Sequence, residues 1–209
     1  MPPSSTAGLR IAAITVALNE DHQLAAFQRY YRGYADQLYA HVIVDNGSRP
    51  DYVRRLEQTF PVSTILSLRS NGGTTAAFNA GIRHALADPK VDAVLLIVQD
   101  VELDRGFLPA LSELLSRDPG IAGAGGVMFA AGSTARVESY GGTVDWLEFK
   151  LSAHASGVEG TATLPETSEV DFIPGGATLF TREALERVGL QDEHLFMYCD
   201  ELDWIFRAQ

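Results

Sequence analysis

The sequence predicts an α/β fold: a single doubly wound, mostly parallel sheet with helices on both faces and a small antiparallel insertion. Three observations carry that prediction. Short apolar runs without polar alternation recur through the first half of the chain, as strands buried on both faces require. Stretches with apolar residues at helical spacing separate them, which is the alternation of a wound parallel sheet. Each run also stops at a polar or glycine-rich loop, where such a sheet places its ligand-binding edge.

Taken in order, Ile11 to Leu18 is the first apolar run, bounded by Asn19-Glu20-Asp21. Leu24, Phe27, Tyr31 and Tyr34 follow at helical spacing and read as a core stripe. His41 to Val44 is the second run, closed by the turn-rich Asp45-Asn46-Gly47-Ser48-Arg49-Pro50. A helix over about 51–58 leads into a third strand at Val62 to Leu68. The loop Arg69 to Gly73 then precedes a helix with Thr74 as its N-cap and Ala77, Ile82 and Leu86 on its apolar face. Ala93 to Val98 is the fourth buried strand, and a helix near Phe107 to Ser116 precedes a strand over Ile121 to Phe129. From there to Thr167, glycine, serine, threonine and isolated aromatics read as antiparallel hairpins and loops. Regular structure returns with Val170 to Ile173, the turn Pro174-Gly175-Gly176, Ala177 to Phe180 and a helix opened by Thr181.

Composition bounds the function. With 209 residues, 46% hydrophobic and 21% charged, the chain is large enough for one substantial core, placed at 11–209 behind a flexible tail at 1–10. A net charge of -11, a pI near 4.8 and only two lysines, Lys90 and Lys150, argue against a nucleic-acid binder. The single cysteine, Cys199, has no intramolecular disulfide partner, and no Cys/His pair has zinc spacing. A cytoplasmic protein is the expectation, because the residues from Met1 to Gly8 lack signal-peptide regions and no apolar run nears the ~18 residues of a membrane span. Membrane association would then be at most peripheral.

The polar strand ends are the candidate site. Asn19 and Glu20 follow the first strand, Asp45 and Asn46 the second, Arg69 and Asn71 the third, and Asp100 the fourth. In Asn71-Gly72-Gly73 and the small residues up to Gly81, free amides at a helix start could receive a phosphate, and close helix-to-sheet packing explains the glycines equally well. Asp100 could hold Mg²⁺ or Mn²⁺, which an acidic protein needs beside a diphosphate. Near the end, Asp200, Glu201 and Asp203 crowd the start of a last helix. The helix dipole is a complete structural account of them, and a general base is the functional one. His22, His41, His84 and His154 read as surface or packed residues, while His194 lies beside the acids; Cys199 has no base to activate it.

Together, Val16-Ala17-Leu18-Asn19, Val44-Asp45-Asn46-Gly47-Ser48, the stretch from Asn71 to Gly81, Gln99-Asp100, and Asp171 to Arg182 followed by Asp200 to Trp204 resemble the ordered motifs of family 2 glycosyltransferases. The resemblance is greatest to bacterial rhamnosyl- and galactofuranosyltransferase-like members. It implies a GT-A fold and inverting transfer from a UDP- or dTDP-sugar to a glycan or lipid-linked acceptor, in cell-envelope or extracellular polysaccharide synthesis. It places Asp45 on the nucleoside base with Asn19 beside it, and Asn71, Gly73 and Asn79 around the nucleotide and ribose. Asp100 becomes the metal-binding acid, Asp200 or Glu201 the base with Asp203 adjacent, and Trp146, Gly175 and Gly176 walls of the sugar or acceptor site, with His194 a further substrate-side candidate.

The sequence departs from the family pattern in three places. Val98 stands where the first acid of the metal motif is expected, the base motif reads Asp200-Glu201 rather than Glu-Asp, and the chain stops at Gln209 inside a helix that such proteins usually continue, as if truncated. The rival expectations are a non-catalytic GT-A-like module that binds nucleotide sugar or an assembly partner, and a sugar nucleotidyltransferase. Ala12 to Asn19 lacks the basic glycine-rich loop of the latter.

Overall fold

The computed structural model describes residues 8–133, 135–148 and 150–209. Along the chain run β1 (Ile11–Ala17), α1 (Leu24–Tyr34), β2 (Ala40–Asp45), α2 (Pro50–Thr59), β3 (Thr64–Ser67), α3 (Thr74–Leu86), β4 (Ala93–Ile97) and α4 (Phe107–Arg117). They are followed by β5 (Gly123–Gly125), β6 (Met128–Phe129), β7 (Val137–Ser139), β8 (Gly142–Asp145), β9 (Lys150–Ala153), β10 (Ala177–Thr181), α5 (Arg182–Val188) and α6 (Asp200–Ala208). Six strands form the main sheet in the order β3-β2-β1-β4-β10-β5. The pairs β3/β2, β2/β1 and β1/β4 are parallel, whereas β10 runs antiparallel to both β4 and β5.

The core divides at the sheet because successive side chains of a strand point to opposite faces. Ile11, Ala13 and Ala17 of β1 join Phe27, Tyr31, Tyr34, Tyr52, Leu56, Leu108 and Leu111 of α1, α2 and α4. Ala12 and Ile14 join Ala77, Phe78, Ile82, Ala184, Leu185 and Trp204 of α3, α5 and α6 on the other face. This is the doubly wound α/β arrangement expected, and both faces of β1 and β4 are closed to water. Small antiparallel pairs, β6 with β7 and β8 with β9, supply the insertion.

Four local expectations need correction. Gly73, not Thr74, holds the N-cap of α3; its φ of 90° lies in the left-handed region, which a threonine there would avoid. The third strand is only Thr64–Ser67, because Val62 and Ser63 after Pro61 are still turning. The run Ile121 to Phe129 divides at the Gly125-Gly126 pair into β5, in the main sheet, and β6, in a separate one. Val170 to Ile173 forms no strand and meets Gly142 through a single bridge at Phe172. The helix after β10 begins as expected, with Thr181 Oγ1 accepting the Ala184 amide at 3.2 Å.

Candidate active site

The parallel strands β1, β2 and β4 end at one edge of the sheet. Because β10 is antiparallel, with Ala177 opposite Ile97, the loop that enters β10 sits at that same edge. Residues early and late in the chain therefore meet at this edge.

On the β1/β2 side, the loops are laced together by side chains. Asp45, almost fully buried, accepts the Ser48 amide at 3.0 Å through Oδ1. Asn19 takes a left-handed conformation (φ 53°), accepts the Arg49 amide at 2.9 Å and donates its own amide to Ser48 Oγ. Asn46, a polar strand-end residue to which sequence reasoning gave no particular role, is the hub. Its Nδ2 donates to Asn71 Oδ1 at 2.9 Å and to the Gly73 carbonyl at 3.1 Å, and its Oδ1 accepts the Gly72 amide. A buried amide with this many partners locks the Asn71–Gly73 loop to the end of β2. Gly73 is confined from the other side as well, since a Cβ there would overlap the Phe196 carbonyl, which accepts the Thr74 amide at 2.9 Å.

On the β4/β10 side, the Val98 amide donates to the Gly176 carbonyl at 3.1 Å, which sets Gly175 and Gly176 beside the strand end that leads to Asp100. Gly175 faces the first turn of α6: a Cβ on it would lie 2.7 Å from Glu201 Oε1. Glu201 and Asp200 line a cavity of about 340 Å³ with Thr74, Phe78, Thr178, Gln191, Met197 and Tyr198 among its walls. Burial first, and then the neighbouring Asp200, push the Glu201 carboxyl up from its ordinary 4.5 to about 7. The acids do open a helix, and the helix dipole favours their ionised forms, but desolvation outweighs it at Glu201. The chain reaches this helix through Tyr198 (φ 69°) and Cys199 (φ 62°), two consecutive left-handed residues that are not glycine. Strain of this kind concentrates where a surrounding structure fixes a functional geometry.

The remaining candidates are distributed as follows. Asp203 accepts from Arg207 at 2.9 Å, and Arg207 in turn donates to the carbonyls of Val188 and Leu190. Asp203 thus anchors α6 to the preceding loop. Asn79 is fully buried in α3, and its amide is committed to Gln191 and Glu193 rather than open to the edge. His194 is 97% exposed and bonded to Asp192 two residues back, which raises its affinity for a proton. Trp146 lies at the β8–β9 turn, half exposed, with its ring 4.5 Å from that of Phe206 in α6. Gln191, Met197 and Tyr198 lie outside the quoted motifs, and Thr178, inside the Asp171 to Arg182 stretch, was given no role; only the folded geometry brings them to the cavity.

Asp100 is exposed just beyond β4. Among the described residues no group of three or more His, Cys, Asp or Glu could enclose a metal ion. A single hard, accessible carboxylate nevertheless fits Mg²⁺ or Mn²⁺ of the kind that takes its remaining ligands from phosphate and water. No helix among the described residues is long and apolar enough to cross a membrane.

The sheet order, the reversed strand β10 and the acid-bearing edge define an α/β domain of GT-A architecture. The chain belongs to glycosyl transferase family 2, whose sequence pattern matches residues 13–189. That match stops short of Asp200. Comparison with curated protein sequences gives no match. Among solved structures, the mannosyltransferase PcManGT from Pyrobaculum calidifontis, in complex with GDP-Man and Mn²⁺, superimposes with a TM-score of 0.66 at 19% identity, over 97% of this chain and 52% of that one. GalNAc-T7 with UDP, GalNAc and Mn²⁺ gives 0.71 at 16% identity, over 96% and 40%. S. aureus TarS gives 0.63 at 12% identity, over 96% and 33%. At these identities the likeness is one of fold, and the chain spans about half the length of the first of these proteins and less of the others.

Proposed function

We propose that this domain catalyses inverting transfer of a sugar from a UDP- or dTDP-linked donor to a hydroxyl of a glycan or lipid-linked acceptor, in cell-envelope or extracellular polysaccharide synthesis on the cytoplasmic side. The observation that carries the reading is Glu201, a partly buried carboxyl on the wall of a cavity whose proton affinity lies near neutrality. A general base works best when it titrates near the working pH. Family membership supports the reaction class, and the nucleotides and Mn²⁺ bound by the structural neighbours support a nucleotide-sugar donor. On motif resemblance, rhamnosyl and galactofuranosyl nucleotides head the list of donors.

In this mechanism Asp45 and Asn19, with the loop held by Asn46 and Asn71, seat the nucleoside and place the diphosphate toward the end of β4. Asp100 would hold the divalent cation, which supplies electrostatic stabilisation of the departing diphosphate. Glu201 takes the proton of the acceptor hydroxyl as its oxygen bonds to the anomeric carbon and the bond to the diphosphate oxygen breaks, so configuration inverts in one displacement. Asp200, next to Glu201, keeps the base's proton affinity high; Gly175 leaves room for the Glu201 carboxylate, and Trp146 with Phe206 offers an apolar wall for the acceptor.

The test compares binding of UDP, dTDP, GDP and ATP with and without Mn²⁺, in the parent and in Asp45→Ala and Asp100→Ala. UDP or dTDP should bind at least about tenfold tighter than ATP, with Asp45→Ala losing the preference and Asp100→Ala losing the Mn²⁺ dependence. Donor hydrolysis or transfer should rise with pH to a midpoint near 7 and vanish in Glu201→Gln. A Glu201→Gln protein of unchanged activity would remove the proposed base.

A further inference from the structure

Residues 191–199 carry no regular secondary structure, yet they deliver the chain to Asp200 and Glu201. What fixes them is α3, whose Thr74 and Phe78 share the cavity wall with Gln191, Met197 and Tyr198. Asn79, with 0% exposure, donates Nδ2 to the Gln191 carbonyl at 2.8 Å and accepts the Gln191 amide on Oδ1 at 3.1 Å. One side chain therefore pairs both polar groups of a backbone residue distant in sequence, as a neighbouring strand would. Its Nδ2 also donates to Glu193 Oε1 at 3.1 Å, which Arg83, one turn along α3, holds at 2.7 Å. A second point of attachment is the Thr74 amide on the Phe196 carbonyl.

We propose that Asn79 is a positioning residue: its clasp on Gln191 and Glu193 fixes the 191–199 segment, and through it the burial and aim of Glu201 at the cavity wall. This rests on Glu201 as the base. Asn79 itself is bonded to the segment and does not line the cavity, whose titratable walls are Tyr198, Asp200 and Glu201. Among charged groups only Asp200 acts on Glu201, so water admitted by a loosened segment is the route by which its titration would change.

The test follows the Glu201 carboxyl directly by ¹³C NMR titration of the whole chain, its resonance assigned by its loss in Glu201→Gln, together with amide hydrogen exchange. Asn79→Asp keeps the acceptor for the Gln191 amide but loses both donated bonds. The titration midpoint should fall by about half a unit or more, and exchange across 191–199 should quicken about tenfold while β1 and β4 are unaffected. The added negative charge alone would move the midpoint upward, so a fall identifies loosening. Should Asn79→Asp fail to fold, Glu193→Ala decides: it should shift both readouts in the same directions, and Glu193→Gln, which retains an acceptor, should restore them. A folded Asn79→Asp with wild-type midpoint and exchange, or in its absence a Glu193→Ala with both unchanged, overturns the clasp. An active Glu201→Gln would overturn the base assignment and leave the clasp readouts standing, so the two readings fail separately.

Discussion

Asp200 and Glu201 are adjacent in the chain and chemically alike, and the fold separates them. Glu201 faces Gly175 across a gap into which no side-chain atom fits, and desolvation governs its titration. Asp203, one turn on, is occupied by Arg207. The order of acids in the sequence left the base undecided between Asp200 and Glu201; Asp200 is the more buried, at 6% exposure, while the proposed base Glu201 is the one that meets Gly175 and whose proton affinity is raised. Gly175 provides a direct probe of that pairing, because a methyl group 2.7 Å from Oε1 forces the carboxylate to move. Gly175→Ala is expected to lower kcat about tenfold or more, since misplacing a catalytic group by an ångström has that scale of effect. Its unfolding free energy should change by less than about 1.5 kcal/mol, because the site is exposed. Steady-state kinetics beside urea unfolding checks both, and an unaltered kcat would show that the contact is not on the reaction path.

At the level of elements, α6 is held to the domain by a short list of contacts. Trp204, 1% exposed, packs edge-on against Phe180 of β10 at 4.5 Å and donates Nε1 to the Gly189 carbonyl at 2.7 Å. Trp204→Ala removes the aromatic pair and orphans that carbonyl, and should cost about 3–5 kcal/mol in urea unfolding. A loss under about 1 kcal/mol would mean that α6 docks by other contacts. Elements whose signal is local were legible beforehand: the Leu24/Phe27/Tyr31/Tyr34 stripe, the Thr181 cap and the buried runs of β1, β2 and β4 each depend on neighbours a few residues away. Elements fixed by distant partners were not. Nothing near Ile121 announces that β5 will pair with β10 while β6 leaves the sheet, and nothing near Gln191 announces Asn79. The candidate site divided in the same way: Asp45 and Asp100 were visible as polar strand ends and the acids as a helix start, whereas Asn46 as a hub and Thr178 as a cavity wall exist only through packing.

Across the whole molecule, two buried groups tilt stability in opposite senses. His41 stacks on Tyr31 at 4.4 Å between Thr15 and Ser63, and burial lowers its pKa to about 3. The unfolded chain binds that proton first, so the stability it contributes is complete above about 6.5 and is lost as pH falls toward 3. Glu201 acts inversely: its folded pKa is raised, so stability is complete below the ordinary 4.5 and is lost as pH rises through about 7. Between roughly 4.5 and 6.5 the two slopes, each near 1.4 kcal/mol per pH unit at most, oppose one another. Glu201→Gln removes one of them. Relative to the parent, it should gain on the order of 1–3 kcal/mol by pH 8, with the difference fading toward pH 4.5. Urea midpoints over this range measure the difference curve, and a flat curve would show that Glu201 is not desolvated in solution.

The consecutive left-handed pair Tyr198 and Cys199 bears on how such a site can vary in evolution. A glycine at either position would adopt the turn without strain, yet it would enlarge the set of conformations open to the unfolded chain and to the loop itself. Retaining two side chains there exchanges stability for a narrower distribution of loop shapes. Drift at 198 and 199 is thereby penalised in two currencies at once, so these positions should accept few replacements even though both are exposed to solvent.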